Sequence, residues 1–163
     1  CWEIALKSNN NPSVIALSRQ KVPYINPKNS KENKSEKGAY VVNLTSHESN
    51  VTLVASGTEV ELALKVQDKL KENNIHSKVV SMPCMELFDK QSEDYRKDIL
   101  EENSLIITLE AGSVMSWQKY IKNKGANLGI DKFGESAPYK EVYKHFKLSE
   151  EDITNFIQKK LRE

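Results

Sequence analysis

Short apolar segments alternate with amphipathic segments along the chain from about residue 38 onwards. Runs of four to six mainly aliphatic residues, bounded by turn residues, predict strands at 39–44, 51–55, 78–82, 105–109 and 127–130. Helical periodicity predicts helices at 58–72, 92–100, 114–123, 138–146 and from 149 to near the end. This alternation indicates an α/β fold, a three-layer sandwich around a mainly parallel, Rossmann-like sheet.

Two of these helices carry recognisable start signals. Thr58 and Glu61 have the spacing of a capping box, and a largely apolar stripe follows to about Glu72. Ser149 precedes an acidic first turn, and basic residues near the end of that helix suit its dipole.

The first part of the chain has a different composition. An amphipathic helix is predicted from Trp2 to about Lys7, and because the chain starts inside it without Met, we expect a longer parent protein. Residues 13–20 predict a strand, and the Lys-, Asn-, Ser- and Glu-rich stretch after them predicts a linker. We therefore expect residues 1–20 to end a preceding domain, 21–37 to connect, and 38–163 to form a compact domain.

Composition and charge exclude several classes of protein. The 163 residues are 38% hydrophobic, which is enough for one globular core, and the formal net charge of +1 gives no electrostatic footprint for a nucleic acid backbone. No apolar run approaches the roughly 20 residues needed to cross a bilayer, and no signal peptide is recognisable. The expected compartment is the cytoplasm, with no membrane or nucleic acid partner.

The residue types that usually hold metals are scattered. Cys1 and Cys84 lack any C-x-x-C pairing and are predicted to be free thiols. His47, His76 and His145 have no metal-ligand spacing, so solvated positions are expected for them. No metal site is predicted in this chain.

Arg19 is the leading candidate for a binding residue. It lies at the end of the strand predicted at 13–20, and a guanidinium at a strand end can hold phosphate oxygens with its planar fork. An arginine in a surface ion pair is the competing interpretation, and the residues alone favour it because exposed arginines are common.

Two strand exits are further candidates. The turn at 56–59 opens a helix and could hold an anion, but it lacks the P-loop and dinucleotide glycine patterns, so a capping role is favoured. Glu110 follows the strand at 105–109 and could act as an acid or base, although an interdomain hydrogen bond is the favoured interpretation.

Several separate motifs, taken together, resemble the transketolase family in order and in spacing. The resemblance spans nearly the whole chain, and it is specific because the motifs are unlinked. They are Pro12–Gln20, Ser56–Ala63, Val79–Pro83, Phe88–Gln91, Glu110–Gly112 and Phe133–Pro138.

The resemblance implies which part of the family's enzyme is present. Residues 1–20 correspond to the end of the pyrimidine-binding domain, and residues 38–163 to the C-terminal domain. The family's enzyme is a homodimer that uses thiamine diphosphate with a divalent metal, Mg or Ca, to move a two-carbon ketol unit between sugar phosphates of the pentose phosphate pathway. Arg19 matches the family's arginine that contacts the substrate phosphate, and this match reverses the preference for a surface ion pair.

The resemblance places no catalytic, cofactor-binding or metal-binding residue of the family in this chain. The resemblance therefore implies that the chain alone is inactive and supports a dimeric enzyme. Two alternatives stay open: a stand-alone ligand-binding or regulatory α/β domain that uses the turn at 56–59, and the C-terminal domain of another thiamine diphosphate enzyme. The Leu17–Gln20 and Phe133–Pro138 motifs favour transketolase.

Overall fold

A computed structural model describes residues 1–25, 32–46, 48–101, 103–121 and 124–163. The sheet has five strands in the order β1-β3-β2-β4-β5. Strands β2, β3, β4 and β5 pair in parallel, and β1 pairs antiparallel with β3 at one edge. Their bounds are β1 Tyr40–Leu44, β2 Val51–Ala55, β3 Ser77–Ser81, β4 Leu105–Leu109 and β5 Ala126–Leu128.

The central strands are buried along their whole length. All residues of β2, β3 and β4 are buried, as expected of parallel strands that are covered on both faces. The near-continuous Val, Leu and Ile content of β2 and β4 is the sequence signature of this position. The predicted mainly parallel sheet is confirmed.

Helices cover the two faces of the sheet and complete three layers. On one face the core is formed with α2, Glu59–Glu72, and α6, Glu150–Lys160. On the other face it is formed with α3, Met85–Asp89, α4, Glu93–Leu100, and a 3-10 helix at Met115–Tyr120. Successive strand residues such as Leu53 and Val54 therefore point into different cores, because side chains alternate along a strand.

Helix starts were predicted with mixed success. Ser149 Oγ accepts from the backbone N–H of Asp152 at 3.2 Å, so the predicted cap of α6 is confirmed. The capping box at α2 is wrong, because Thr58 makes no side-chain bond to the helix backbone and instead donates to the Glu59 carboxylate. Helix α5 covers Tyr139–His145, one residue after Pro138.

The segment from 114 to 130 departs from its predicted limits. The expected helix over 114–123 is a shorter 3-10 helix, Met115–Tyr120, and residues 122–123 lie outside the described part of the chain. The expected strand at 127–130 is β5, Ala126–Leu128. Trp117 of this 3-10 helix is 1% exposed and packs in the second core.

The first 25 residues contain one regular element. Helix α1, Trp2–Lys7, is confirmed, and it buries none of its residues. The strand predicted at 13–20 does not form, because a strand needs a neighbour and these residues have no sheet partner among the described residues. Ile25 packs against the first core, and a 3-10 helix at Lys34–Lys37 leads into β1. Residues 26–31 of the predicted linker lie outside the described part.

No helix in the described parts of the chain is sufficiently long and apolar to cross a membrane.

Candidate functional site

The carboxyl ends of β2 and β4 meet at the point where the sheet reverses its winding. From β2 the chain crosses to β3 on one side, and from β3 it returns to β4 on the other side of β2. Ala55 lies opposite Leu109, so the turns that follow these residues are neighbours. In open α/β sheets this crevice is where ligands bind, and it is therefore the candidate site.

Glu59, the first residue of α2, forms one wall of this crevice. Its side chain is held by two hydroxyl donors, because Tyr143 of α5 and Thr58 both donate to Oε1, the latter at 2.7 Å. Glu59 is only 6% exposed, and these bonds compensate for its burial. Burial first, and then the bond to Glu59, raise the pKa of Tyr143, so its hydroxyl stays protonated as a donor.

Glu110, which directly follows β4, forms the opposite wall. Trp117 donates from Nε1 to Oε2 of Glu110 at 3.0 Å. Burial raises the pKa of Glu110, the Trp117 bond lowers it, and the negative charge of Glu59 raises it further. The crevice therefore contains two carboxyl groups, and the charge of Glu59 acts on Glu110.

The loops around the crevice are locked together. Asp131 Oδ1 accepts from the Ser113 hydroxyl at 2.9 Å and from the Val114 backbone at 3.0 Å. Gly129 lies so close to this loop that an added Cβ would be 2.4 Å from Val114 Cγ1 and 2.7 Å from the Gly112 oxygen. These contacts hold the loop after β4 against the loop after β5.

The chemistry of these walls disfavours an anion. The N-terminus of α2 attracts negative charge, but Glu59 itself already supplies it there, and Glu110 adds a second carboxyl group. A phosphate in this crevice would face like charges. The stand-alone anion-binding domain that used the turn at 56–59 is not favoured.

Arg19 makes no hydrogen bond or ion pair with Glu59 or Glu110. Its side chain is exposed, and within the described part of the chain it has no ion pair or hydrogen bond. The surface ion pair considered from the sequence is therefore absent there. The preceding residue, Ser18, lies beside the turn after β2, because a Cβ added to Gly57 would be 3.5 Å from Ser18 Oγ.

The other candidate residues form no site. Among the described residues there is no group of three or more His, Cys, Asp or Glu side chains that could hold a metal ion. His76 and His145 are exposed, and His47 lies outside the described residues. Cys84 is a free thiol as predicted, partly exposed, with Sγ 3.4 Å from Glu86 Oε2, and Cys1 is a free, exposed thiol.

The sequence pointed to Glu110 and to the turn at 56–59, but it did not show which side chains hydrogen-bond to the carboxyl groups there. Tyr143 lies 84 positions from Glu59, and nothing in the local pattern of α5 marks it. Trp117 follows Glu110 by seven positions, and only the packed structure shows that its indole N–H donates to the Glu110 carboxyl group. Glu59 had one usable signal, an acidic residue at the start of a helix directly after a buried strand.

Comparison with known proteins decides the family. The family of transketolase-like TK C-terminal domains matches residues 38–149, which is more than half of the chain. The chain belongs to the transketolase family. Its α/β fold with the mainly parallel sheet is that of the transketolase C-terminal domain.

Individual relatives support the same assignment. A transketolase of Rhodobacter capsulatus is 40% identical over 158 residues, which cover 93% of this chain and 24% of the relative. The solved transketolase of Campylobacter jejuni has a TM-score of 0.76 and 35% identity over 86% of this chain and 21% of that one. The chain thus spans about a quarter of the length of the transketolases that it resembles.

A third similar structure carries a ligand of its own. The transketolase of Pichia stipitis in complex with sedoheptulose 7-phosphate has a TM-score of 0.73 and 31% identity, covering 79% of this chain and 18% of that one. The sugar phosphate is a property of that protein. For the present chain, the family and the fold are what the similarity establishes.

Proposed function

We propose that this chain is the C-terminal part of a transketolase that transfers a two-carbon ketol unit from a ketose phosphate to an aldose phosphate in the pentose phosphate pathway. The observation that carries the proposal is the 40% identity to a transketolase along 93% of the chain. Residues 1–20 end the pyrimidine-binding domain in this proposal, 21–37 form the connection and 38–163 form the C-terminal domain.

Arg19 is proposed to bind the phosphate of the sugar substrate. Its guanidinium is exposed, has no hydrogen-bond or ion-pair partner among the described residues, and matches the arginine of the family's Leu-Ser-Arg-Gln motif at 17–20. Charge-assisted hydrogen bonds of this kind contribute about 1.5 to 3 kcal/mol, or about one to two decades in affinity. Arg19 thus contributes binding and no proton transfer or nucleophile.

Thiamine diphosphate and a divalent metal are proposed for the whole enzyme, bound outside this chain. The described residues do not fit this cofactor, because the crevice at the sheet's carboxyl edge is lined by Glu59 and Glu110 and would repel a diphosphate. No group of metal-binding side chains occurs among the described residues either. No step of ketol transfer is therefore assigned to the residues of the C-terminal domain.

The role of the chain in this proposal is to support a homodimeric, cytoplasmic enzyme. The chain alone is expected to be inactive. Purified chain with thiamine diphosphate, Mg²⁺ and both sugar phosphates should give no ketol transfer, with the full-length enzyme as the positive control. Turnover by the chain alone would contradict this part of the proposal.

The decisive experiment compares full-length wild-type enzyme with Arg19→Ala. We expect the KM for a ketose phosphate to rise about 10- to 100-fold, and the KM for the unphosphorylated ketose to stay unchanged. Lys21→Ala is the matched control, since it removes an exposed cation two positions away. Absence of ketol transfer by the wild-type protein would overturn the transketolase assignment of function. An equal loss with both donors would show instead that Arg19 maintains the fold or an interface.

A further inference from the structure

The segment that carries Arg19 lies on the C-terminal domain and is anchored on both sides of the arginine. On the amino side, Ser18 lies at Gly57, where an added Cβ would be 3.5 Å from Ser18 Oγ. On the carboxyl side, Ile25 packs against the first hydrophobic core. The arginine therefore occupies a short stretch between two contacts with the same domain.

We propose that the turn Ser56–Gly57–Thr58 is the seat of this segment and positions Arg19 for the phosphate of the substrate. Gly57 is then a positioning residue, because it acts through Ser18 and touches no substrate. The inference rests on the proposed function of Arg19. It gives the C-terminal domain a task in substrate binding, although none of the residues after the linker would contact the sugar.

The absence of a side chain at Gly57 creates the space for this seat. Ser18 Oγ is the only atom within 4 Å of the added Cβ among its described surroundings, so the side that glycine leaves open faces Ser18. Gly57 also has φ +53°, in the left-handed region that glycine adopts without strain. A side chain that extends beyond Cβ towards Ser18 would occupy its place and move the segment, whereas a Cβ alone would lie in ordinary van der Waals contact.

The turn itself is rigid enough to act as a seat. Its last residue, Thr58, donates to Glu59, which is also held by Tyr143 of α5. The backbone N–H of Glu59 donates to the Ser56 oxygen at 3.1 Å and closes the turn. A shift of this turn would require α2 and α5 to move with it, so the position of Ser18 is set by the packed domain.

No hydrogen bond or ion pair in the described part of the chain orients the Arg19 side chain. Residues 13–20 form no strand, and Arg19 has no ion pair or hydrogen bond there. Holding the neighbouring backbone lowers the entropy that the arginine would lose on binding phosphate. The seat at Gly57 therefore affects the affinity for phosphorylated donors and leaves the chemical step alone.

The test uses full-length enzyme with two substitutions at Gly57. Asparagine adopts the left-handed backbone more readily than most residues, and in Gly57→Asn its side chain would extend beyond Cβ towards Ser18. We therefore expect the KM for a ketose phosphate to rise about threefold to tenfold. The kcat, and the KM for the unphosphorylated ketose, should not change. Gly57→Ala reaches only van der Waals distance from Ser18, so it should lower the thermal midpoint through backbone strain while the KM stays near wild type.

Two further variants keep the result interpretable. Gly134→Asn is the matched control, because nothing lies within 4 Å of an added Cβ there, and it should behave as wild type. Ser18→Leu adds bulk from the other side of the contact, in an exposed segment that tolerates it, and should reproduce the KM effect if Gly57→Asn fails to fold. In an Arg19→Ala background Gly57→Asn should add no further rise, since both changes act on one interaction.

The outcomes separate this inference from the proposed function. If Arg19→Ala raises the KM selectively while Gly57→Asn and Ser18→Leu match Gly134→Asn, the seat is wrong and the role of Arg19 stands. If the Gly57→Asn loss is equal for both donors, or adds fully to that of Arg19→Ala, the seat is also wrong. An equal loss with both donors in Arg19→Ala itself overturns the proposed role of Arg19, on which this inference rests.

Discussion

The hydroxyl of Tyr143 in α5 donates to the buried carboxylate of Glu59, which begins α2 after the turn that follows β2. The bond ties a late helix to the carboxyl edge of the sheet. It also fixes the turn on which the segment before Arg19 lies. Its contribution can be measured separately from catalysis, because neither residue is proposed to touch substrate.

Tyr143→Phe should destabilise the domain by about 1 to 3 kcal/mol. The substitution keeps the aromatic ring but leaves Glu59 Oε1 with Thr58 as its remaining hydroxyl donor in a buried place. Urea unfolding followed by circular dichroism measures the difference. Tyr139→Phe, one turn earlier in α5 and 53% exposed, should stay within about 0.5 kcal/mol of wild type. Equal effects of the two substitutions would contradict the role of the Tyr143 hydroxyl.

Glu110→Gln should stabilise the domain at pH 7, and the gain should disappear on acidification. Burial raises the pKa of Glu110 above the ordinary value of 4.5, so its charged form is disfavoured in the folded state. The native protein therefore gains stability relative to neutral pH as the pH falls through the raised pKa, and the gain is complete below 4.5. Gln is neutral throughout and can still accept from Trp117 Nε1.

The measurement for Glu110→Gln is the free energy of unfolding of both proteins at pH 7 and at pH 4. The advantage of the variant should be present at pH 7 and absent at pH 4. A difference that is independent of pH would show that packing, and not the charge of Glu110, causes it. Glu135→Gln, at an exposed position, serves as the control for removing one negative charge.

Gly129→Ala should lower the stability by about 1 to 3 kcal/mol. An added Cβ would lie 2.4 Å from Val114 Cγ1 and 2.9 Å from the Glu110 oxygen, closer than atoms can pack without moving the loop. Thermal unfolding of Gly129→Ala and of Gly134→Ala tests this, because Gly134 has open space around its Cβ position. If Gly129→Ala left the stability unchanged, the loop around Gly129 would be able to move at little cost, and it would not be held firmly in place.

Lys78→Met should lower the free energy of unfolding by about 1 to 3 kcal/mol, because it removes the ion pair that Lys78 of β3 makes with Glu101. Lys78 is 5% exposed, its Nζ lies 2.9 Å from Glu101 Oε2, and it donates to the Asp98 oxygen at 2.8 Å. Methionine leaves Glu101 with the Ser49 N–H but without a counter-ion. Lys65→Met breaks the exposed pair with Glu61 and should cost less than about 1 kcal/mol. Denaturant titration that ranks the two variants in the reverse order would contradict this account.

The sequence predicts the parts of the fold that local pattern determines. β2 and β4 are continuous runs of branched apolar residues, and α2 has an apolar stripe, so each could be located within one or two residues. The strand at 13–20 could not be judged in this way, because its formation depends on neighbours that the local pattern does not show. The helix expected at 114–123 is a shorter 3-10 helix, and the local pattern does not show that Asp131, from a later loop, accepts from Ser113 and Val114 just before it.

The candidate site shows the same division. Glu110 and the turn at 56–59 were found because residues after buried strands meet at one edge of a parallel sheet. Their chemistry was not found, since the Tyr143–Glu59 and Trp117–Glu110 bonds depend on how α5 and the 3-10 helix pack. The capping box predicted at Thr58 was wrong for this reason, because the Thr58 hydroxyl donates to the Glu59 carboxylate and does not cap the N-terminus of α2. The contact of Ser18 with Gly57 has no sequence signal at all.

The two outer strands of the sheet limit how the domain can associate with other chains. β5 has only three residues, and β1 has an irregularity in its pairing between Val41 and Asn43. Each edge therefore offers a short or distorted row of free backbone groups, which is a poor template for adding a strand from another molecule. A domain built in this way resists edge-to-edge aggregation with further copies of itself.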